Sequence, residues 1–361
     1  MSSEAPNLTP ASGEPGVDAA KASRSLRRGL ISLTILVAIV AGLLLAVPGL
    51  HGVAEKIRHM QPSWLLLGVG LEILSCVGYI LAFLQVFDRA PTRFGARVAM
   101  SELAFGAAVS LGGVGGVAVG AWLMVDRGGN QRRITERSAV LFLITSAVNV
   151  VTLVIAGAAL YFGVLPGPRN PFLSIVPAGV GLLTLALFLA LPRCADRIAS
   201  SRSPGKLSTF LTETAVTIRL AEKVVFSMDW RTVGAFAYLW CDIGVLVLCF
   251  AAAGHVPPIA TIVLAYQIGY ISNLIPIPGG IGVLDGSFVG MFVLFGVPVS
   301  LVASSTVVYH AISLWVPSLW GSIAYMVLRR TRGQPIRLRS MPRHAYSPVR
   351  LAAEGDTSER S

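Results

Sequence analysis

The sequence predicts an all-α polytopic membrane protein, with six full spans plus two glycine-broken re-entrant hairpins arranged as an inverted repeat. Three observations predict it. The chain is 54% hydrophobic and only 13% charged, whereas a soluble domain carries nearer a quarter charged residues. Its apolar residues form continuous runs of about 20, enough to cross about 30 Å of hydrocarbon, and not the two-residue alternation of a membrane barrel. Two further apolar stretches are interrupted by glycine.

Residues 1–28 come first. They are polar, rich in proline, glycine and serine, and expected to be disordered and cytoplasmic. The transmembrane domain is expected over 29–330, and a second disordered cytoplasmic tail over 331–361. The full spans are read at 30–50, 63–87, 138–163, 172–191, 232–254 and 299–328. The first run is long and starts late, which suits a retained helix better than a cleaved signal peptide. The broken stretches are 98–125 and 259–297.

Basic residues set the topology, because cytoplasmic loops carry excess arginine and lysine. Arg24, Arg27 and Arg28 place the N-terminus in the cytoplasm. Arg89, Arg93 and Arg97 follow the second run, and Arg127, Arg132, Arg133 and Arg137 follow the first broken stretch. Both loops are therefore cytoplasmic, and 98–125 must enter and return on that side. The segment 192–231 is basic and cytoplasmic as well, and 207–225 reads as an amphipathic helix on the membrane surface. Stretch 259–297 then begins and ends outside. Arg329, Arg330 and Arg332 return the C-terminus to the cytoplasm. The expected location is the plasma membrane, multi-pass.

Several function classes are excluded. The net charge of +11 sits in loops and tails, facing anionic headgroups. No basic-aromatic patch or reading motif points to nucleic acid. The four cysteines, Cys76, Cys194, Cys241 and Cys249, lack CxxC spacing, so neither zinc nor a disulfide scaffold is indicated. No P-loop, HExxH or paired-histidine motif occurs. No metal, cofactor or enzymatic activity is expected.

The two broken stretches resemble each other. The first reads SLGGVGGVAVGAW and holds Gly112, Gly113 and Gly115. The second reads IPGGIGVLDGSF, with Pro276, Pro278, Gly279, Gly280 and Gly282 at or beside it. Unwound backbone survives at membrane depth only against protein or a water-filled cavity. The half-helix that follows presents free N–H groups and a positive dipole end. Oppositely oriented, glycine-broken segments in the two halves of a chain point to a transporter's midplane site. Close helix packing is the other use of such glycines.

Charged and polar residues inside the apolar runs supply the candidate site. A central carboxylate costs about 2.5–3.5 kcal/mol, so Asp242 and Glu72 are expected to face a cavity or a partner, or to be protonated; Glu72 could be protonated and packed. Asp285 and His310 lie within or beside spans, and Glu102 falls near the start of the first hairpin, where it could sit at the interface. Asp242, Asp285, Glu72 and His310 are the candidates for substrate binding or proton coupling. Asp285 could instead cap the second half-helix. Gln267 and Asn273 could bond a headgroup or tie helices together.

The stretch NLIPIPGGIGVLDGSFVGMFVLFGVP, with Tyr309, Trp315 and Pro317 after it, resembles the lysylphosphatidylglycerol synthase transmembrane family over roughly residues 29–330. That resemblance implies a flippase-like protein. The family includes the membrane region of aminoacyl-phosphatidylglycerol synthase/flippases and relatives implicated in polyprenyl-phosphate sugar export. This chain departs from the family pattern. Gly116 and Val119 stand where a glutamate and an arginine are usual, Leu284 and Asp285 replace Arg-Glu, and His310 replaces a frequent arginine. The tail is too short for a soluble aminoacyl-transferase domain, so synthase activity is not implied. The expectation is a lipid flippase-like protein moving a polar-headgroup or polyprenyl-linked phospholipid or related lipid. The alternatives are a small-solute or ion transporter, or a non-transporting partner of a lipid-modifying enzyme.

Overall fold

The computed structural model describes residues 51–108, 114–199, 206–227, 229–271 and 281–331, with seven further positions between 24 and 34. Every regular element among the described residues is helical. In chain order these are α1 (His51–Arg58), α2 (Pro62–Val86), α3 (Thr92–Ala108), α4 (Val114–Val125), α5 (Gln131–Tyr161), α6 (Ile175–Ala199) and α7 (Lys206–Val225). A 3₁₀ turn (Trp230–Thr232) leads into α8 (Val233–Ala252), followed by α9 (Ile259–Ile271), α10 (Ile281–Leu294) and α11 (Val299–Arg330).

Five helical segments are long and apolar enough to cross a membrane: Pro62–Val86, Gln131–Tyr161, Ile175–Ala195, Trp230–Ala252 and Val299–Arg330. They match five of the six expected spans. Most of the first run, 30–50, lies outside the described residues. Helix α5 starts earlier than its apolar run, at Gln131. The Asn130 side chain accepts from the Arg133 N–H at 3.1 Å and caps it, and Arg132 pairs with Glu136 one turn on. By contrast α4, α9 and α10 have 12, 13 and 14 residues. At 1.5 Å per residue each reaches only about 20 Å, short of the hydrocarbon core.

Hydrogen bonds fix which helix ends lie together. Arg137 Nη1 donates to the Val86 carbonyl at 2.6 Å, and Arg231 Nη1 donates to the Leu84 carbonyl at 2.8 Å. Arg127 Nη2 donates to the Leu328 carbonyl at 2.8 Å. The end of α2, the loop between α4 and α5, the start of α8 and the end of α11 therefore share one end of the bundle. At the other end, the Gln61 N–H bonds the Ala252 carbonyl at 3.1 Å. A Cβ on Gly167, in the loop after α5, would lie 3.4 Å from Thr261 near the start of α9. The pair α3–α4 thus leaves from the arginine-rich end, and α9 sets out from the opposite one.

Small residues let the spans close. Down the antiparallel pair α2–α8, Gly78 faces Gly234, Ser75 Oγ donates to the Tyr238 carbonyl at 2.8 Å, and Gly68 faces Val245. A Cβ on Gly78 would lie 2.6 Å from the Tyr238 nitrogen and 2.7 Å from the Gly234 oxygen. The two backbones touch, with no room for a side chain between them. Helices α5 and α6 meet the same way at Gly157, whose added Cβ would lie 2.6 Å from the Ser174 carbonyl. Outward faces are apolar: Leu182, Leu183 and Leu187 of α6 are each about 60% exposed. Helix α7 is present as expected and buries Ala215 and Ile218 one turn apart, packed beside α6 and α5.

Gly78→Val is expected to lower stability by about 3 kcal/mol through overpacking, read as a lower thermal midpoint in detergent. Gly70→Ala, where an added Cβ meets nothing within 4 Å, should leave the midpoint in place. Equal effects would contradict a backbone-to-backbone crossing at Gly78.

Candidate functional site

The register of α2 on α8 carries straight into the site. Gly78 opposes Gly234, and one helical turn further Ser75 bonds Tyr238. One more turn brings the Glu72 carboxyl against the Asp242 carboxyl, within hydrogen-bonding reach. Ionised carboxylates offer only acceptors, so two carboxyls this close are a place where a proton can be held. Glu72 is buried, and its Oε2 has no hydrogen-bond partner among the described residues. The Cys76 thiol approaches Glu72 Oε1 at 4.0 Å from the next turn of α2.

Two further helices converge on Asp242. Its Oδ2 accepts from the Tyr266 hydroxyl of α9 and from the Tyr309 hydroxyl of α11, the latter at 2.9 Å. Both tyrosines are 3% exposed, while Asp242 itself is only half-buried. His310, also half-buried, lies within electrostatic reach of it. Phe288 of α10 lies parallel to the Tyr309 ring, with centroids 6.1 Å apart and planes 2° apart. It also packs against Tyr266. A Cβ on Gly269 would sit 2.7 Å from the Phe288 ring, so this glycine admits α10 to the cluster.

The expected site residues divide into three groups. Glu72, Asp242 and His310 come together. Gln267 follows Tyr266 on α9 and is buried, its Nε2 without a hydrogen-bond partner. Gly112, Gly113, Asn273, Pro276, Pro278, Gly279 and Gly280 lie outside the described residues. Gly115 and Gly282 are the second residues of α4 and α10, inside the helices. Asp285 is the fifth residue of α10, too far in to be its N-cap; its side chain lies outside the described residues. Trp240, two residues before Asp242, is 46% exposed on the other side of α8.

Tyr266 is a member of the cluster that sequence reasoning misses. A tyrosine in an apolar run looks like packing, but a buried phenol needs a partner, and a mid-span aspartate is the obvious one to seek. A second carboxyl centre is also hidden in the sequence. Glu102 is buried within the protein, with the Tyr79 side chain beside its carboxyl. A Cβ on Gly120 of α4 would lie 2.5 Å from Glu102 Oε2. Tyr79 packs on Tyr238, rings 5.1 Å apart, and Tyr238 lies one turn from Asp242. Among the described residues no group of three or more histidine, cysteine or acidic side chains could hold a metal ion. The arrangement suits proton exchange and the binding of a cationic or hydroxyl-bearing group.

Comparison with known proteins gives a consistent family. Residues 30–321 match the family model described as "Lysylphosphatidylglycerol synthase TM region". Two proteins of Methanothermobacter thermautotrophicus strain Delta H, each described as "UPF0104 membrane protein", are similar. One is 27% identical over 331 residues, covering 83% of this chain and 93% of the relative. The other is 26% identical over 330 residues, covering 82% and 94%.

Asp242→Ala should destabilise more than Asp242→Asn. The alanine strands two buried phenols, at about 1–3 kcal/mol each, whereas asparagine keeps an acceptor oxygen for them. Thermal unfolding in detergent checks this, and equal losses would mean that the tyrosine bonds do not hold the cluster.

Proposed function

Because the chain belongs to the lysylphosphatidylglycerol synthase transmembrane-region family, we propose that this multi-pass membrane protein is a lipid flippase. It moves a polar headgroup past Asp242 while the acyl or prenyl chains stay in the bilayer. The helix pairs α3–α4 and α9–α10 act as re-entrant hairpins inserted from opposite faces, and alternating access passes between them. The protein resides in the plasma membrane with both termini cytoplasmic. It transports and does not catalyse.

The observation that carries this reading is the Asp242 carboxyl, bonded by two tyrosine hydroxyls and close to the Glu72 carboxyl in the middle of the spans. A carboxyl kept at such depth costs about 2.5–3.5 kcal/mol and is retained for ligand or proton traffic. The proton between Glu72 and Asp242 is the exchangeable element. A cationic or hydroxyl-bearing headgroup arriving at Asp242 displaces it, and its return releases the headgroup. Gln267 supplies a buried amide donor on α9, next in the chain to Tyr266. The departures from the family pattern fit a substrate whose recognition does not depend on arginines at the two breaks.

Reconstitution of the full chain in liposomes with fluorescent lipids tests the proposal. Protein-dependent transfer is expected, and Asp242→Asn should slow it about tenfold or more, equivalent to about 1.4 kcal/mol in the barrier, with the folded melting transition retained. If no glycerophospholipid or polyprenyl phosphate in a broad panel crosses faster than in empty liposomes, the assignment is wrong. Ion or small-solute flux in the same vesicles would replace it.

A further inference from the structure

A cleft of about 240 Å³ opens at the arginine-rich end of the bundle, between the end of α2, the first turns of α5, the last turn of α7 and the 3₁₀ turn before α8. It is a separate site. Gln85 on its wall lies 13 residues beyond Glu72 on α2, about 20 Å along the axis at 1.5 Å per residue. The volume is that of roughly eight waters at about 30 Å³ each, enough for a phosphate and the polar atoms around it.

The walls are braced by bonds that leave part of their charge unspent. Arg231 is held by the residues around it. It donates to both Asp229 oxygens, at 2.6 to 3.1 Å, and to the Leu84 carbonyl. That guanidinium holds the Asp229 carboxyl below the ordinary carboxylate range, so the pair is ionised and neutral overall. Gln85 Nε2 donates to the Val224 carbonyl at 3.1 Å and to Thr232 Oγ1 at 2.6 Å, locking α7 to α2. Arg137 spends one N–H on the Val86 carbonyl and stands 4.0 Å from Asp88, too far for a hydrogen bond. Most of its five donors stay available. Lys223 is exposed and makes no ion pair among the described residues. Two cations with spare donors thus face one partly exposed aspartate, and the cleft carries a net positive charge.

The surroundings say where the anion comes from. Phe226 is 77% exposed and Trp230 is 69% exposed, both on the strand of chain that carries Lys223 and Arg231. Exposed aromatics beside basic side chains at a bundle end mark headgroup depth. Val140, Leu220 and Val224 line the inner wall, an apolar lead toward the spans.

We propose that this cleft binds the phosphate of an anionic phospholipid of the adjoining leaflet, with Lys223 and Arg137 as its cationic contacts and α7 as its outer wall. The test uses the full chain in vesicles and reads Trp230 fluorescence as the difference between the parent protein and Trp230→Phe. Brominated phosphatidylglycerol is expected to quench Trp230 more than brominated phosphatidylcholine does. Lys223→Gln should weaken the preference about fivefold, the effect of about 1 kcal/mol per basic residue at a membrane surface. Lys223→Arg should restore it. Arg132→Gln removes an equal charge from the same end outside the cleft, and should leave the preference intact. Equal quenching by both lipids overturns the proposal, as does a loss in Arg132→Gln matching that in Lys223→Gln. A Lys223-dependent Trp230 response to inorganic phosphate in phosphatidylcholine vesicles, without preference for the brominated anionic lipid, assigns the cleft to soluble phosphate and overturns the lipid source.

Discussion

One oxygen atom, Asp242 Oδ2, receives hydroxyl protons from two helices that are distant in sequence. Around that acceptor the middle of the molecule is organised. Helix α8 supplies the carboxyl, α9 and α11 supply the phenols, and α2 brings a second carboxyl to the same place. A polar knot of this kind is costly in a lipid-facing bundle unless each group finds a partner. The two phenols meet that demand at Asp242, while Glu72 Oε2 and Gln267 Nε2 stay without a hydrogen-bond partner among the described residues.

The knot depends on backbone geometry set elsewhere. Gly78 and Gly234 let α2 and α8 touch main chain to main chain, and that contact fixes the rotation and height of both helices. Two turns away, the same register decides that Glu72 meets Asp242 and not a neighbouring apolar residue. Gly269 does a similar service for α10, admitting the Phe288 ring between Tyr266 and Tyr309. Tyr79, the residue after Gly78, lies beside Glu102. A single face of α2 thereby serves two carboxyl centres.

Much of this is legible in the sequence, for identifiable reasons. Arginine placement predicts that the loops near residues 88, 127 and 329 share a side, and the bonds of Arg127 and Arg137 to carbonyls of α11 and α2 agree with it. Glu72, Asp242 and His310 stand out because ionisable groups in apolar runs are expensive. Tyr266, Tyr79 and the glycine pair do not stand out. A lone tyrosine or glycine in such a run has the same local appearance whether it packs, bonds a carboxyl or admits a neighbouring backbone. Only the pairing of helices, which is a long-range property, separates these cases. The surroundings of Glu102 are hidden for the same reason: its burial depends on α4 crossing over it, and the glycines that permit the crossing, Gly116 and Gly120, are one turn apart on another helix. The start of α5 is missed because a basic, capped first turn extends a helix beyond its apolar part.

The contact at Gly78 and Gly234 also divides the molecule mechanically. Helices joined main chain to main chain cannot slide or roll without forcing bonded atoms into one another, so α2 and α8 behave as a single stiff keel. Helix α9 reaches the carboxyl cluster through a phenol, and α10 through a ring contact. A hydroxyl can let go and re-form its bond after a small displacement, at little cost in strain. Any change of shape in this protein will therefore be taken up where side chains meet, with the keel as the fixed frame of reference.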